Sequence, residues 1–261
     1  MSTPEGERIA KVMARAGLCS RREAEQWIAA GRVAVDGQVL TSPALNVKPG
    51  QRVVVDGKPL QEAEPPRLFR YHKPAGIITA ARDPEGRKTI YDTLPPDLPR
   101  LMPIGRLDYN SEGLLLLTND GELKRRLELP STGWLRRYRV RVHGVPGEPQ
   151  LQALSAGITV DGLRYGPIQA KVDRVQGSNC WLTVALREGK NREIRHVMGH
   201  LGFEVTRLIR TGYGPFQLGN LEPRMTEEVR PKVLKEQLGL AEAGVLRPAQ
   251  VAARSARRPA G

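Results

Sequence analysis

Residues 105–129 read GRLDYNSEGLLLLTNDGELKRRLEL, and the order of residue types within them sets how the rest of the chain is to be read. The run EGLLLLT is short, apolar and bounded by turn formers, the mark of a buried strand rather than an exposed one. Asn119-Asp120-Gly121 then turns the chain into a short helix. Ahead of the strand stands Asp108, two residues after Arg106 and between two apolar stretches. Asp-Tyr-Asn-Ser is turn-prone, so this carboxylate either bends the chain or supplies the one acid a reaction needs. Local chemistry leaves both readings open.

Strand signals continue outward from this stretch. RLFRYHK and GIITAA predict two strands around Lys73-Pro74. RRYRVRVHG alternates, with Tyr138, Val140 and Val142 on one face and Arg137, Arg139, Arg141 and His143 on the other. IQAKVDRV, CWLTVALR and VTRLIR predict three more strands, and helices are predicted at 149–156, 192–201 and 231–238. Regular strand–helix alternation is missing, so the fold class is α+β with a mixed, mostly antiparallel sheet.

The first 60 residues form a separate small module. Ile9, Val12, Met13 and Ala16 fall at helical spacing, with Gly17 placed to end that helix. Ser20 and Glu23 make a capping box for a second helix that Gly31 stops. Two alternating strand pairs follow, turned at Asp36-Gly37 and Asp56-Gly57. Between Arg8 and Arg32, six cations (Arg8, Lys11, Arg15, Arg21, Arg22 and Arg32) stand against only Glu23 and Glu25. Charge alone is equally consistent with a basic binding face and with a solvated helix surface.

Net charge is +13, from 41 Lys and Arg against 28 Asp and Glu, a surplus that attracts polyanions. No apolar run reaches the roughly 18–20 residues of a membrane span. No basic amphipathic helix or lipidation signal favours a membrane surface either. The start, MSTPEGERIA, lacks the layout of a secretory signal, so a cytoplasmic location is expected. Cys19 and Cys180 are too far apart for a metal knuckle and too few for a disulfide framework. Nucleic acid is the expected partner.

Familiar enzyme signatures are missing: no phosphate-binding loop, no dinucleotide fingerprint, no nucleophile elbow. His196 and His200 sit four apart on a predicted helix, but without the acid or third ligand of a zinc site. Chemistry without metal or cofactor is therefore expected, carried by an ordinary side chain.

Several motifs carry a resemblance. IAKVMARAGLCSRREAEQWIAAGRVAVDGQVL resembles an S4 RNA-binding domain over most of residues 7–58, which favours structured RNA as the polyanion. Gly105-Arg-Leu-Asp108 followed by Gly113-Leu-Leu-Leu-Leu-Thr-Asn-Asp-Gly121 resembles the active-site motif of pseudouridine synthases. Lys73-Pro74-Ala75-Gly76, Arg136-Arg-Tyr138 and EGKNREIRHVM resemble further motifs of the RsuA/RluB/RluF branch, in the same order, over roughly residues 7–225. Tyr109-Asn-Ser-Glu-Gly113 and STGWLRRYRVRVHG are closer to the RluB-like large-subunit enzymes than to the small-subunit type.

The resemblance implies an S4 domain at 1–60 and a catalytic domain at 68–240; composition makes the short, polar, Pro-containing stretch 61–67 a linker and the Arg-rich residues 241–261, with Ala and Pro between, a basic, disordered tail. It implies a monomeric rRNA pseudouridine synthase acting on 23S rRNA or a pre-ribosomal particle, with no cofactor and no metal. Asp108 is implied as the catalytic acid. Arg195 is implied as the cation that keeps it ionised, since burial alone would raise its pKa. Tyr138 would stack on the target base, and Arg106 would fill the gap that the flipped uridine leaves. Arg8, Lys11, Arg15, Arg21 and Arg22 would contact RNA. His196 stands where relatives often carry a second arginine. Rival readings are a 16S rRNA enzyme, a noncatalytic ribosome-assembly factor, and a nucleosidase that stops after bond cleavage.

Overall fold

The computed structural model describes residues 6–238, so the tail expected from residue 241 lies outside it. The chain forms two compact units. One is built mainly from residues up to Pro66 together with the Pro231–Leu238 helix, the other from Arg67–Val229. Sequence reading kept residues 231–238 with the second domain. The helix carries an apolar stripe through Leu234 and Leu238, and no local pattern says which core such a stripe joins.

In the first unit the helix Ile9–Arg15 buries Ile9, Ala10 and Met13. The helix Arg21–Ala29 opens on Ser20, whose hydroxyl accepts from the Glu23 amide at 3.1 Å while the Glu23 carboxylate accepts from the Ser20 amide at 2.8 Å. Two otherwise orphaned amides are thereby satisfied. At the far end Gly31, at φ +70, lets the Arg32 amide reach back to the Trp27 carbonyl at 3.0 Å. A four-stranded sheet follows in the order Gln38–Val39, Val33–Val35, Val53–Val55, Lys58–Pro59. Its two Asp-Gly turns hold both residues at positive φ, as two-residue hairpins require. Of the cations expected to meet RNA, Lys11 and Arg15 are paired with Glu7 at 2.7 and 2.8 Å, whereas Arg8, Arg21 and Arg22 are exposed.

The second unit is organised by a nine-stranded sheet. Its main path runs Ile168–Gln176, Asn179–Leu186, Arg136–His143, Val205–Tyr213, Ser111–Thr118, Leu68–Lys73, Thr226–Glu228. Pairing is antiparallel except where Ser111, Glu112 and Gly113 run parallel to Leu208, Ile209 and Arg210. The sheet is thus mixed and mostly antiparallel, as the sequence predicts. Leu114 to Leu117 are at most 1% exposed, and each buried leucine contributes roughly 1.5–3 kcal/mol, which explains an unbroken apolar strand at the sheet's centre.

Alternation along Arg136–His143 sends Tyr138, Val140 and Val142 into a core completed by Leu182, Val184 and the Ile194, Val197 and Met198 face of the Glu193–His200 helix. A second core gathers Phe69, Tyr71, Leu115 and Leu117 with Ile90, Leu101 and Leu107. Gly113 couples the two halves. Its φ is +101, and a Cβ there would lie 2.3 Å from the Arg210 carbonyl oxygen. Only glycine permits so close a parallel approach.

GIITAA is not a strand. Ile78 makes a single bridge with Thr89, and Ile77 is drawn into the second core beside the turn Ile90–Thr93. The apolar residues that suggested a strand are used in packing against that turn.

Candidate active site

Asp108 lies on the loop between the strands Met102–Ile104 and Ser111–Thr118, and that loop is fastened from several sides. Leu107 is buried in the second core, with its carbonyl accepting from the Thr79 hydroxyl at 2.9 Å. The amide of Gly76 donates to the Tyr109 carbonyl at 2.9 Å, and the Ser111 amide donates to the Asp108 carbonyl at 3.0 Å. The deepest anchor is Lys73, whose side chain is fully buried. Its ammonium faces the carbonyls of Pro74, Asp108, Tyr109 and Ser111 at 3.1, 3.0, 3.4 and 2.9 Å. Burial pushes the Lys73 pKa down to about 8, against the opposing charges of Asp108 and Glu112. Near neutral pH the residue is a cation that organises four backbone dipoles beneath the acid.

So held, the Asp108 carboxylate faces a cleft of about 710 Å³. Tyr138, Leu208, Arg210 and Tyr213 line it from the sheet, Arg106 from the acid's own loop, and Arg192 from the start of the Glu193–His200 helix. Seven Lys and Arg residues border the cleft against three acids, so its field suits a polyanion. Tyr138 is 8% exposed and opposes Val184 on one neighbouring strand and Arg210 on the other. Arg106 is exposed at the rim. Three of the four residues expected at the site, Asp108, Tyr138 and Arg106, therefore share one cavity.

Arg195 is placed differently. It is absent from the cleft lining, and its guanidinium donates to the carbonyls of Val205 at 2.8 Å and Asn110 at 3.1 Å. Burial, then the charge of Arg192, lowers its pKa, and Asp108 opposes that shift. It braces the acid's loop two residues downstream. The cation nearest the carboxylate is Arg192, with Nη1 3.8 Å from Asp108 Oδ2. Arg192 is the N-cap of the helix and has a left-handed backbone conformation, φ +49. The stretch EGKNREIRHVM contains both arginines three residues apart, and nothing in its periodicity tells which turns toward the acid.

Lys73 and Arg210 also escaped the sequence reading as members of the site. Arg210 is 3% exposed, donates from Nε to the Leu114 carbonyl at 2.7 Å and lies over the Tyr213 ring at 5.3 Å. Glu193, the first residue of the helix after Arg192, is also buried. Its carboxylate accepts from the Lys190 amide at 2.9 Å, and burial beside Glu188 pushes its pKa up to about 7. Among the described residues no three His, Cys, Asp or Glu side chains could hold a metal, and no helix is long and apolar enough to cross a membrane. His196 contacts the Tyr165 hydroxyl through Nδ1 at 3.1 Å.

Comparison with known proteins gives consistent results. A family described as S4 domain matches residues 7–53, and one described as RNA pseudouridylate synthase matches residues 67–200. An uncharacterized RNA pseudouridine synthase of Rickettsia bellii is 48% identical over 229 residues, covering 88% of this chain and 99% of that protein. The ribosomal large subunit pseudouridine synthase B of Salmonella typhimurium is 42% identical over 227 residues, covering 84% of this chain and 77% of that one. A crystal structure of a pseudouridylate synthase superposes with a TM-score of 0.62 at 23% identity, covering 89% of this chain and all of the other, which shows a shared fold.

Proposed function

Since the chain belongs to the RNA pseudouridylate synthase family, with an S4 domain ahead of the catalytic one, we propose that it isomerises one specific uridine of ribosomal RNA, in the 23S molecule, with Asp108 as the reacting acid. The observation that carries this reading is the Asp108 carboxylate, clamped through its own backbone and presented to a basic cleft that Tyr138 also lines. The large-subunit target rests on the 42% identical relative whose name specifies it. An rRNA substrate, free or in a pre-ribosomal particle, would be met in the cytoplasm by a monomer.

Isomerisation breaks the N1–C1′ bond, turns the base and joins C5 to C1′, with one proton leaving C5 and one gained at N1. Nothing is oxidised or transferred to another molecule, so the reaction needs no redox partner. The carboxylate acts as a nucleophile on the uridine, and both that role and stabilisation of a cation-like C1′ require it ionised. Arg192 supplies the adjacent positive charge, and Arg195 with Lys73 fixes the loop that aims it. The duplex hides the reacting atoms, so the uridine leaves the stack. Tyr138 gives it a replacement stacking surface, and Arg106 enters the vacated place.

The experiment is to map pseudouridines in both rRNAs from cells lacking the gene, then from the same cells carrying wild type or Asp108→Asn. One 23S position should lose its pseudouridine and regain it only with wild type. Recovery with the Asn variant would refute the role of Asp108. A lost 16S position would move the target to the small subunit, release of free uracil would identify a nucleosidase, and no change in either rRNA would indicate a noncatalytic assembly factor.

A further inference from the structure

We propose that the sheet face turned away from the cleft is a second RNA-docking surface, taking the phosphate backbone of a double-helical segment. The inference rests on the reading that RNA is the substrate. Alternation settles which residues occupy this face. Tyr138, Leu208 and Arg210 line the cleft, so Arg139, Arg141 and Arg207 project from the opposite side. On the strands beyond, Lys171 pairs with Thr183, and Arg174 with Trp181, which itself opposes Arg141. Three of four adjacent strands thus bring five cations onto one face about 14 Å wide.

One of the five, Arg207, is paired with an acid, and the other four are not. Glu112 is engaged by Arg207 at 2.8 and 2.9 Å, and Asp173 accepts the Thr183 hydroxyl at 2.8 and 3.0 Å. Among the described residues, Arg139, Arg141, Lys171 and Arg174 have no carboxylate within ion-pair distance. Arg139, Lys171 and Arg174 are exposed. Arg141 and Arg207 are direct cross-strand neighbours; Glu112 offsets the repulsion from the Arg207 side, and a polyanion lying across Arg141 would relieve the rest.

The face is built for backbone contact rather than for reading splayed bases. Its aromatic side chain, Trp181, is already covered by the Arg139 guanidinium, 4.8 Å from the ring centroid. Single-strand readers instead offer open aromatic rings on which bases stack. The same contact holds Arg139 in place as a fixed donor for phosphate.

The test uses the full chain with Arg139→Gln, Arg141→Gln, Lys171→Gln and Arg174→Gln together, its fold checked by circular dichroism. The probe is a labelled RNA duplex of about 16 base pairs, the span of a typical double-strand reader. Affinity is measured across a salt series. Loss of four phosphate contacts should make the plot of log K against log salt shallower by about 3.6–4 and weaken binding roughly tenfold or more at low salt. A variant keeping the charge, Arg139→Lys with Arg141→Lys and Arg174→Lys, should retain the wild-type slope. A quadruple variant with wild-type slope and affinity would overturn the proposal, and leave the face to a protein partner or to solvent. Pseudouridine formation at saturating RNA should be unchanged, because none of the four residues lines the cleft. The duplex measurement reads this face and the pseudouridine assay reads the cleft, so failure of one is told apart from failure of the other.

Discussion

Replacing Gly113 with alanine should damage both stability and turnover, and the structure fixes the scale. At φ +101 the residue lies beyond even the left-handed region that L-residues visit, a cost of roughly 1–3 kcal/mol. The new Cβ would also meet the Arg210 carbonyl oxygen at 2.3 Å and its amide nitrogen at 2.7 Å, both backbone atoms that cannot rotate away. Overpacking of this kind costs a further 1–3 kcal/mol or so. A total of roughly 2–6 kcal/mol corresponds to a fall in melting temperature of about 4–24 °C for a unit of this size. The comparison variant is Gly177→Ala, at φ +58 with open space around its position, which carries strain of roughly 1–2 kcal/mol without the clash. Thermal unfolding of both variants isolates the steric part. Because Gly113 sets the spacing between the strand after Asp108 and the strand bearing Arg210, the surviving fold should also turn over slowly. A displacement of 1 Å at a reacting group costs on the order of 100-fold. If Gly113→Ala melted with Gly177→Ala and kept wild-type turnover, the close parallel contact would not be what holds the site together.

Asp108→Asn should abolish pseudouridine formation, measured as tritium release from 5-tritiated uridine, while RNA affinity is unchanged or slightly higher because one repulsion with phosphate is gone. Tyr138→Phe should keep RNA placement and Tyr138→Ala should lose it, with a stacking loss of roughly 1–3 kcal/mol; full activity in the alanine variant would remove Tyr138 from the site. For Lys73 the pH profile separates two effects. Its folded pKa, about 8, lies below the unfolded 10.5, so the unfolded chain holds this proton more tightly and stability rises with pH between those values. Turnover should fall over the same rise, from about pH 8 upward, as the neutral amine releases the carbonyls under Asp108. Glu193 carries the opposite linkage: with its pKa raised from 4.5 to about 7, its contribution is full below pH 4.5 and is lost as pH rises through 7. Denaturant unfolding at pH 8 should find Glu193→Gln more stable than wild type, and at pH 4.5 the difference should vanish.

Much of this architecture was legible because it is local. Ser20 with Glu23 makes a cap from residues three apart, Asp36-Gly37 and Asp56-Gly57 turn hairpins through their own dihedrals, and alternation alone orients Arg136–His143. Asp108, Tyr138 and Arg106 fell into one cleft because their motifs could be matched residue by residue. What stayed hidden depends on partners far along the chain. GIITAA had the composition of a strand but no partner strand to complete it. Arg192 rather than Arg195 approaches the carboxylate, and it does so from a left-handed cap position that periodicity does not encode. Lys73 looks like a surface lysine until the fold surrounds its ammonium with carbonyls. Gly113 reads as a weak point in an apolar strand, and only the parallel neighbour shows why glycine is there.

That parallel pairing also sets when the site can exist during synthesis. The bond from Arg210 to the Leu114 carbonyl spans 96 positions, so the strand that follows Asp108 waits for a neighbour made much later. At roughly 5–20 residues per second the delay is about 5–20 s, during which the acid's loop has emerged without its support. Contacts of such long sequence separation are slow to form even in a finished chain. A nascent chain ending before Val205 therefore carries every residue expected to contact the uridine and still lacks the frame that aligns them. Activity should switch on late and abruptly, as a property of the completed sheet.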